Sequence, residues 1–369
     1  VQDVVKFWMK KGVSGFRFDV VNLISKASYE DDETGDGRRF YTDGPNIHRY
    51  LQELNEKTFG QDKGIVTVGE MSSTSMENCF RYASGDGKEL SMVFSFHHLK
   101  VDFAGNEKWV LVPFDFQKLK KILFDWQSGM AQHDAWNAVF WCNHDQPRVV
   151  SRFGDEGKYR KESAKMLGTV IHCLRGTPYV YQGEELGMGN AGFTKIGQYR
   201  DVESINYFRI LQEKGLTEAD AYRILQIHSR DNARTPMQWD GGANGGFTSG
   251  TPWIEVNPDC TLVNALDELA DADSVFHHYQ KLIRLRKEMD IIAYGGFEPV
   301  DEKNAQILAY KRTWQGHELL VVNNFYGRDA EWNCPVDLEG FRMILSNYKD
   351  SCPEQRMRLR AFESIVMYR

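Results

Sequence analysis

Residues 14–20 read SGFRFDV, and two ionisable residues, Arg17 and Asp19, break an otherwise apolar run that continues with Val21. Aromatic and β-branched residues at this density predict a strand. Residues two apart in a strand share a face, so Arg17 and Asp19 should point one way and Phe16, Phe18 and Val20 the other. In isolation an Arg-x-Asp pair is most simply a structural ion pair. Its neighbours along the chain give it another meaning.

Working outward, further strands are predicted at 64–69 (GIVTVG), 91–97 (SMVFSFH), 138–143 (AVFWCN) and 177–182 (TPYVYQ). Between them 46–58, 115–130 and 157–175 carry apolar residues at three- and four-residue spacing, which predicts amphipathic helices. Strands alternating with helices imply parallel βαβ units, whose sites lie at the C-terminal strand ends. Five such units cannot close an eight-stranded barrel. The chain also opens in helical periodicity (Val1, Val4, Val5, Trp8) with no initiator methionine, so the expectation is the C-terminal part of a (β/α)₈ TIM barrel, from about the fourth strand onward.

Residues 191–260 are rich in Gly, Asn, Asp and Trp, as in SRDNARTPMQWDGGANGGF (229–247), and read as long surface loops with one helix near 216–228. A helix is predicted at 274–289. After YGGF (294–297), short segments at 307–313, 318–325, 341–346 and 362–368 predict strands of a small antiparallel β-sandwich. The expected domains are therefore 1–295, a barrel domain lacking its N-terminal strands, and 296–369, the β domain.

The formal net charge of -7 argues against a nucleic-acid partner, which needs a basic surface. No apolar run is long enough to span a bilayer and no signal peptide is visible, so no membrane partner is expected. The six cysteines (79, 142, 173, 260, 334, 352) form no C-x-x-C pair and predict reduced, buried thiols in a cytoplasmic protein. No metal site is predicted: adjacent His97 and His98 would point to opposite faces of a strand. The DDETGDGRRFYTD segment (31–43) imitates a calcium loop only superficially and reads better as a mobile loop over a cleft.

The chemistry-bearing residues fall at strand ends. Glu70 closes IVTVGE, and Asp145 follows AVFWCNHD with His144 before it. Three carboxylates at strand ends, two with a cationic or imidazole neighbour, suit glycosidic cleavage, which needs one carboxylate to attack or stabilise and one acid to protonate the leaving oxygen.

GFRFD, VGE and NHD, in this order, resemble the catalytic regions of the α-amylase superfamily, glycoside hydrolase family 13. VGEMSSTSMENC (68–79), FSFHHLKVDF (94–103), WNAVFWCNHDQPRVVSRFG (136–154), GTPYVYQGEELGM (176–188) and SRDNARTPMQWD (229–240) narrow the resemblance to the oligo-1,6-glucosidase-like branch and, within it, to the trehalose-6-phosphate hydrolases. The resemblance covers essentially the whole chain. It implies that Asp19 is the nucleophile, Glu70 the general acid/base and Asp145 the third carboxylate, holding the sugar hydroxyls. Arg17 would hold Asp19 charged and aimed, and His98, His144 and Arg148 would bind substrate. The family's first conserved aspartate and histidine, and its inserted domain, have no counterpart in this sequence.

Other members of the branch carry acidic residues where His97 and Lys100 stand. Basic residues there suit an anionic substrate, and Lys100 is the first candidate for a phosphate contact, with Lys108 and the Arg38/Arg39 pair behind it. Val20, beside the nucleophile, accompanies cleavage of linkages other than α-1,4 in this branch. Trp136, Trp141 and Trp239 could stack on sugars or belong to the core. The resemblance thus implies a retaining α-glucosidase that needs no cofactor and acts on a small phosphorylated disaccharide, trehalose 6-phosphate, the alternative being an oligo-1,6-glucosidase on neutral oligosaccharides; a monomer is the expectation, although the sequence itself does not give the oligomeric state. A non-catalytic relative such as a transporter heavy chain is disfavoured, because those lose the carboxylates retained here.

Overall fold

A computed structural model describes residues 1–369, which form two compact units. The first comprises Val1–His98, Lys121–Val139 and Arg175–Thr177; the second comprises Leu99–Lys120, Phe140–Leu174 and Pro178–Arg369.

In the first unit a five-stranded sheet runs in the order β1 (Gly15–Phe18), β2 (Val66–Glu70), β3 (Met92–Phe94), β4 (Asn137–Val139) and β5 (Thr177–Pro178). The pairings of β1 with β2, β2 with β3 and β3 with β4 are parallel. Helices α1 (Gln2–Lys10), α2 (Ile47–Lys57), α3 (Met76–Tyr82) and α4 (Phe116–Gln132) alternate with the strands. On α2 the buried residues Ile47, Leu51 and Leu54 follow the spacing of one helical face. They join Val5, Val21, Phe59, Met71 and Val93 in one core, against which Phe16 and Phe18 pack. Gly69 has a steric reason: a Cβ there would lie 2.6 Å from Leu90 Cδ1 and 2.5 Å from Met71 Cε.

The strands are shorter than their sequence predicts. The third ends at Phe94, not at 97, because β4 offers only Asn137 and Ala138 opposite Val93 and Phe94. His97–Leu99 is a 3₁₀ turn, so the strand-face argument about the two histidines does not apply. Helix α3 was not predicted, although Ser75 caps it by accepting from the Asn78 amide.

The second unit carries α5 (Val149–Phe153), α6 (Arg160–His172), α7 (Val202–Glu213), α8 (Glu218–His228), α9 (Ala265–Ala270), α10 (Val275–Glu288) and α11 (Asp290–Tyr294). Over 191–260 the helix expected near 216–228 is present as α8, whereas the expectation of surface loops for the rest is corrected by α7 and a shared core. Helices α7 and α8, capped by Asp201 and Thr217, bury Phe208, Leu211, Ile224 and Leu225 with Phe193, Tyr199 and Trp109 in a core of their own. The glycine- and asparagine-rich tract that follows α8 masked the helical spacing of Ile205, Phe208 and Leu211.

From Gly296 onward the unit is antiparallel β: β6 (Gly296–Val300), β7 (Ile307–Trp314), β8 (His317–Asn324), β9 (Ala330–Asn333), β10 (Arg342–Ser346), β11 (Arg356–Leu359) and β12 (Ser364–Tyr368). One sheet runs β10-β12-β8-β7-β6 and a second pairs β9 with β11. Val300, Leu320, Val322 and Ile365 from the first meet Trp332, Met357 and Leu359 from the second in one core. Strands β6, β9 and β11 escaped prediction. Pro299 sits inside β6, which tolerates it as an edge strand, and β9 and β11 are four-residue segments with every second side chain polar.

Arg312 is wholly buried, and its guanidinium donates to the carbonyls of Cys173 (2.7 Å), Ile292 (2.9 Å), Gly295 (2.6 Å) and Gly296 (3.0 Å). The first three lie at the C-terminal ends of α6 and α11, where carbonyls lack intrahelical partners and a cation is favoured. Tyr310 adds its hydroxyl to Val170 O at 2.9 Å. No helix is long and apolar enough to cross a membrane.

Of the six free cysteines, Cys79, Cys142, Cys173 and Cys334 are buried as expected, whereas Cys260 is partly exposed and Cys352 exposed. Trp141 is core, donating to Leu167 O. Trp136 bonds Thr177 and lies under Arg175, and Trp239 is exposed.

Candidate active site

Arg17 leaves β1 on the face opposite Phe16 and Phe18. Its Nη1 donates to Asp19 Oδ1 at 2.6 Å and its Nη2 to Glu70 Oε2 at the end of β2. One guanidinium therefore spans both carboxylates, in the fork geometry that suits arginine to paired oxygens. The two differ in environment: Glu70 is buried, whereas the Asp19 side chain is 72% exposed.

Immediately beyond Asp19 the backbone turns sharply. Val20 has φ 35°, and Asp43 and Ser73 in the neighbouring loops have φ 49° and 54°. A left-handed backbone is costly for residues with a Cβ, most of all for β-branched valine, at about 1–3 kcal/mol each, and persists only where surroundings fix it. Those surroundings are polar. Asn22 is fully buried, bonded to Asp43 and Ser72.

In the acidic segment 31–43, Asp32, Asp36 and Asp43 are engaged by protein donors. Asp32 accepts from Thr34 and Gly37 and pairs with Arg39 at 2.8 Å; Arg38 pairs with Asp36 and reaches Ser73. Asp43 faces hydroxyl and amide hydrogens from four side chains, a donor set that suits an anion and not a shared cation.

In the same unit His97 bonds Ser95 at 2.9 Å and its ring lies 5.2 Å from that of Trp126, while His98 is buried. Lys100 is the first exposed residue of the second unit.

Within the second unit Asp145 is the centre of a charged cluster. Its Oδ1 accepts from Arg234 at 2.7 Å and Arg230 at 3.2 Å, and His144 Nε2 lies 3.3 Å from Oδ2. Arg230 also donates to Glu203 at 2.6 Å, and Lys108 reaches the same carboxylate at 3.2 Å. Burial pushes the Lys108 ammonium below its usual range, and this commitment to Glu203 weakens it as a phosphate contact. Arg230, Arg234 and Glu203 were missed from the sequence. The available signal was two arginines four apart in SRDNAR.

Arg148, expected at the substrate, is 1% exposed and turned to the carbonyls of Asn232 and Gln182, with Tyr181 beneath its guanidinium. It braces these loops instead of presenting a surface. Arg152 is a second brace: it pairs with Asp102 at 2.6 Å and donates to Gln146 and to Leu99 O, the residues next to Asp145 and Lys100.

Beside Arg148, burial pushes the Glu184 carboxyl up to about 8, against the opposing hydrogen bond from the Tyr181 amide. The folded state thus keeps a proton that the unfolded chain releases near the ordinary carboxyl range, so this group's contribution is lost as pH rises toward 8. Glu184→Gln should flatten the fall in Tm between pH 5 and 8. An unchanged slope in calorimetric scans would assign the dependence elsewhere.

Residues 1–295 match the family described as alpha amylase, catalytic domain, and 307–366 the alpha-amylase SusG C-terminal domain. The chain belongs to the alpha-amylase family. Among alpha-amylase family proteins it is 54% identical to the trehalose-6-phosphate hydrolase of Bacillus subtilis, over 99% of this chain and 66% of that protein. It is 44% identical to the oligo-1,6-glucosidase of Halalkalibacterium halodurans, over 99% of this chain and 67% of the relative. Its fold superposes on the crystal structure of Bacillus licheniformis trehalose-6-phosphate hydrolase with a TM-score of 0.96 at 52% identity, covering 100% of this chain and 67% of that one. The chain thus spans about two thirds of the length of these family members.

Proposed function

We propose that the protein is a retaining α-glucosidase that hydrolyses trehalose 6-phosphate to glucose and glucose 6-phosphate. The observation that carries the reaction class is the Arg17 guanidinium bridging Asp19 and Glu70, since retention needs a close carboxylate pair, about 5–5.5 Å apart. Asp19 attacks the anomeric carbon while Glu70 protonates the departing oxygen, leaving a β-glucosyl ester on Asp19. Glu70, now a carboxylate, takes a proton from water, which displaces Asp19 and releases α-glucose. Asp145, steered by Arg230 and Arg234, holds sugar hydroxyls, and His144 and His98 each serve as a substrate contact. This reading places the five parallel strands in a (β/α)₈ barrel, takes 1–295 as the catalytic domain and 296–369 as the β-sandwich, and puts a monomer in the cytoplasm, where free cysteines stay reduced.

The greater identity to phosphotrehalose hydrolases than to oligo-1,6-glucosidases supports the substrate, as does exposed Lys100. A charge-assisted contact to phosphate contributes about 1.5–3 kcal/mol. Lys100→Ala in the full-length protein should therefore lower kcat/KM for trehalose 6-phosphate roughly tenfold to a hundredfold. An uncharged aryl α-glucoside should be nearly unaffected, and added salt should narrow the difference. Equal losses on both substrates would give Lys100 a supporting role, and a wild-type preference for isomaltose would replace this substrate with a neutral one.

A further inference from the structure

We infer that Asn22, anchored by Asp43, is a positioning residue that fixes the separation of nucleophile and acid/base; this rests on the proposed roles of Asp19 and Glu70. The backbone pairing between β1 and β2 ends at Phe18 opposite Gly69, so this ladder does not hold Asp19, and beyond Glu70 the β2 chain is tied by its ladder to β3, through Met71 N to Phe94 O at 3.3 Å, and not to the chain after β1. Past that point the side chain of Asn22 takes over. It accepts from Ser72 N at 2.9 Å and donates to Ser72 O at 2.8 Å, the reciprocal pair that a neighbouring strand would make.

The second amide hydrogen of Asn22 goes to Asp43 Oδ1 at 3.1 Å, and its backbone carbonyl accepts from the Asp43 amide at 3.0 Å. Asp43 is itself held by Tyr82 at 2.6 Å, Thr74 at 2.7 Å and Asn78 at 2.8 Å, which fixes it to the start and end of α3. Every polar atom of the Asn22 side chain is thereby used, and the three left-handed residues, Val20, Ser73 and Asp43, all lie on or next to this network. Two of them stand just past the carboxylates, Val20 one residue after Asp19 and Ser73 three after Glu70. Releasing Asn22 lets both turns relax, and the two carboxylates drift apart even though β1 and β2 stay paired.

The test is a mutant cycle in the full-length protein, using an activated aryl α-glucoside and active-site titration. Asn22→Ala should lower kcat about tenfold to a hundredfold, the effect of displacing a reacting group by about 1 Å, with KM within about threefold of the parent. In a Glu70→Ala background, assayed with azide as nucleophile, the same substitution should cost less than about threefold, because there is no longer a pair to align. Equal losses in both backgrounds, or a lower Tm with unchanged kcat per titrated site, would overturn the inference. A mistaken assignment of Glu70 would look different: Glu70→Ala alone would show no azide rescue. Should Asn22→Ala not fold, Asp43→Asn, nearly isosteric, is carried through the same cycle with the same expectations.

Discussion

Under the proposed roles, Asp19→Ala in the full-length protein should reduce turnover of every α-glucoside by about 10⁴-fold or more, because it removes the group assigned to form the glycosyl ester. Glu70→Ala should behave differently. On a substrate whose leaving group needs protonation it should lose roughly 10²–10⁴-fold. On an activated aryl α-glucoside the first step should survive, glucosyl-enzyme should accumulate, and azide should restore turnover and yield the β-glucosyl azide. The two carboxyls differ in access, Glu70 enclosed and Asp19 open, and both meet the Arg17 guanidinium. Steady-state kinetics with product analysis would decide it. Equal losses on the activated substrate with no rescue would exchange or abolish the two roles.

Arg312→Met should destabilise the protein more than any surface change. The substitution fills most of the volume but leaves four carbonyls, each at 2.6–3.0 Å from the guanidinium, without that donor. Orphaned buried polar groups cost about 1–3 kcal/mol apiece, and partial relaxation puts the expected loss at about 3–5 kcal/mol. At 2–4 °C per kcal/mol in a unit of this size, the melting temperature should fall by roughly 6–20 °C. Arg312→Lys keeps a charge but not the planar fork and should fall between. A loss of less than about 1 kcal/mol in denaturant titrations would mean that the carbonyls find other partners.

What was legible in the sequence was what depends on local periodicity. Alternation of strands and helices marked the parallel sheet, and the two-residue spacing of Arg17 and Asp19 placed them on one face. Periodicity says nothing of where a ladder runs out, so the FSFHH strand was drawn three residues too long. Pro299 in an edge strand and the polar alternation of Arg356–Leu359 each weakened a true signal below notice. Charge partners were the least legible. Arg230 and Arg234 reach Asp145 from 85 and 89 residues away, and Asn22 meets Ser72 across 50. Only the fold brings such pairs together, and nothing in their immediate neighbours announces it.

The α7–α8 segment has its own apolar interior, so its exterior can vary among descendants without unfolding what surrounds it. Yet the two arginines that steer Asp145 follow directly after α8, and Glu203, which restrains one of them, lies on α7. Inheritance therefore links two traits: a lineage that remodels this segment also resets the charged partners of Asp145. Divergence through this segment should proceed in paired steps, an outer substitution followed by a compensating one at 203, 230 or 234.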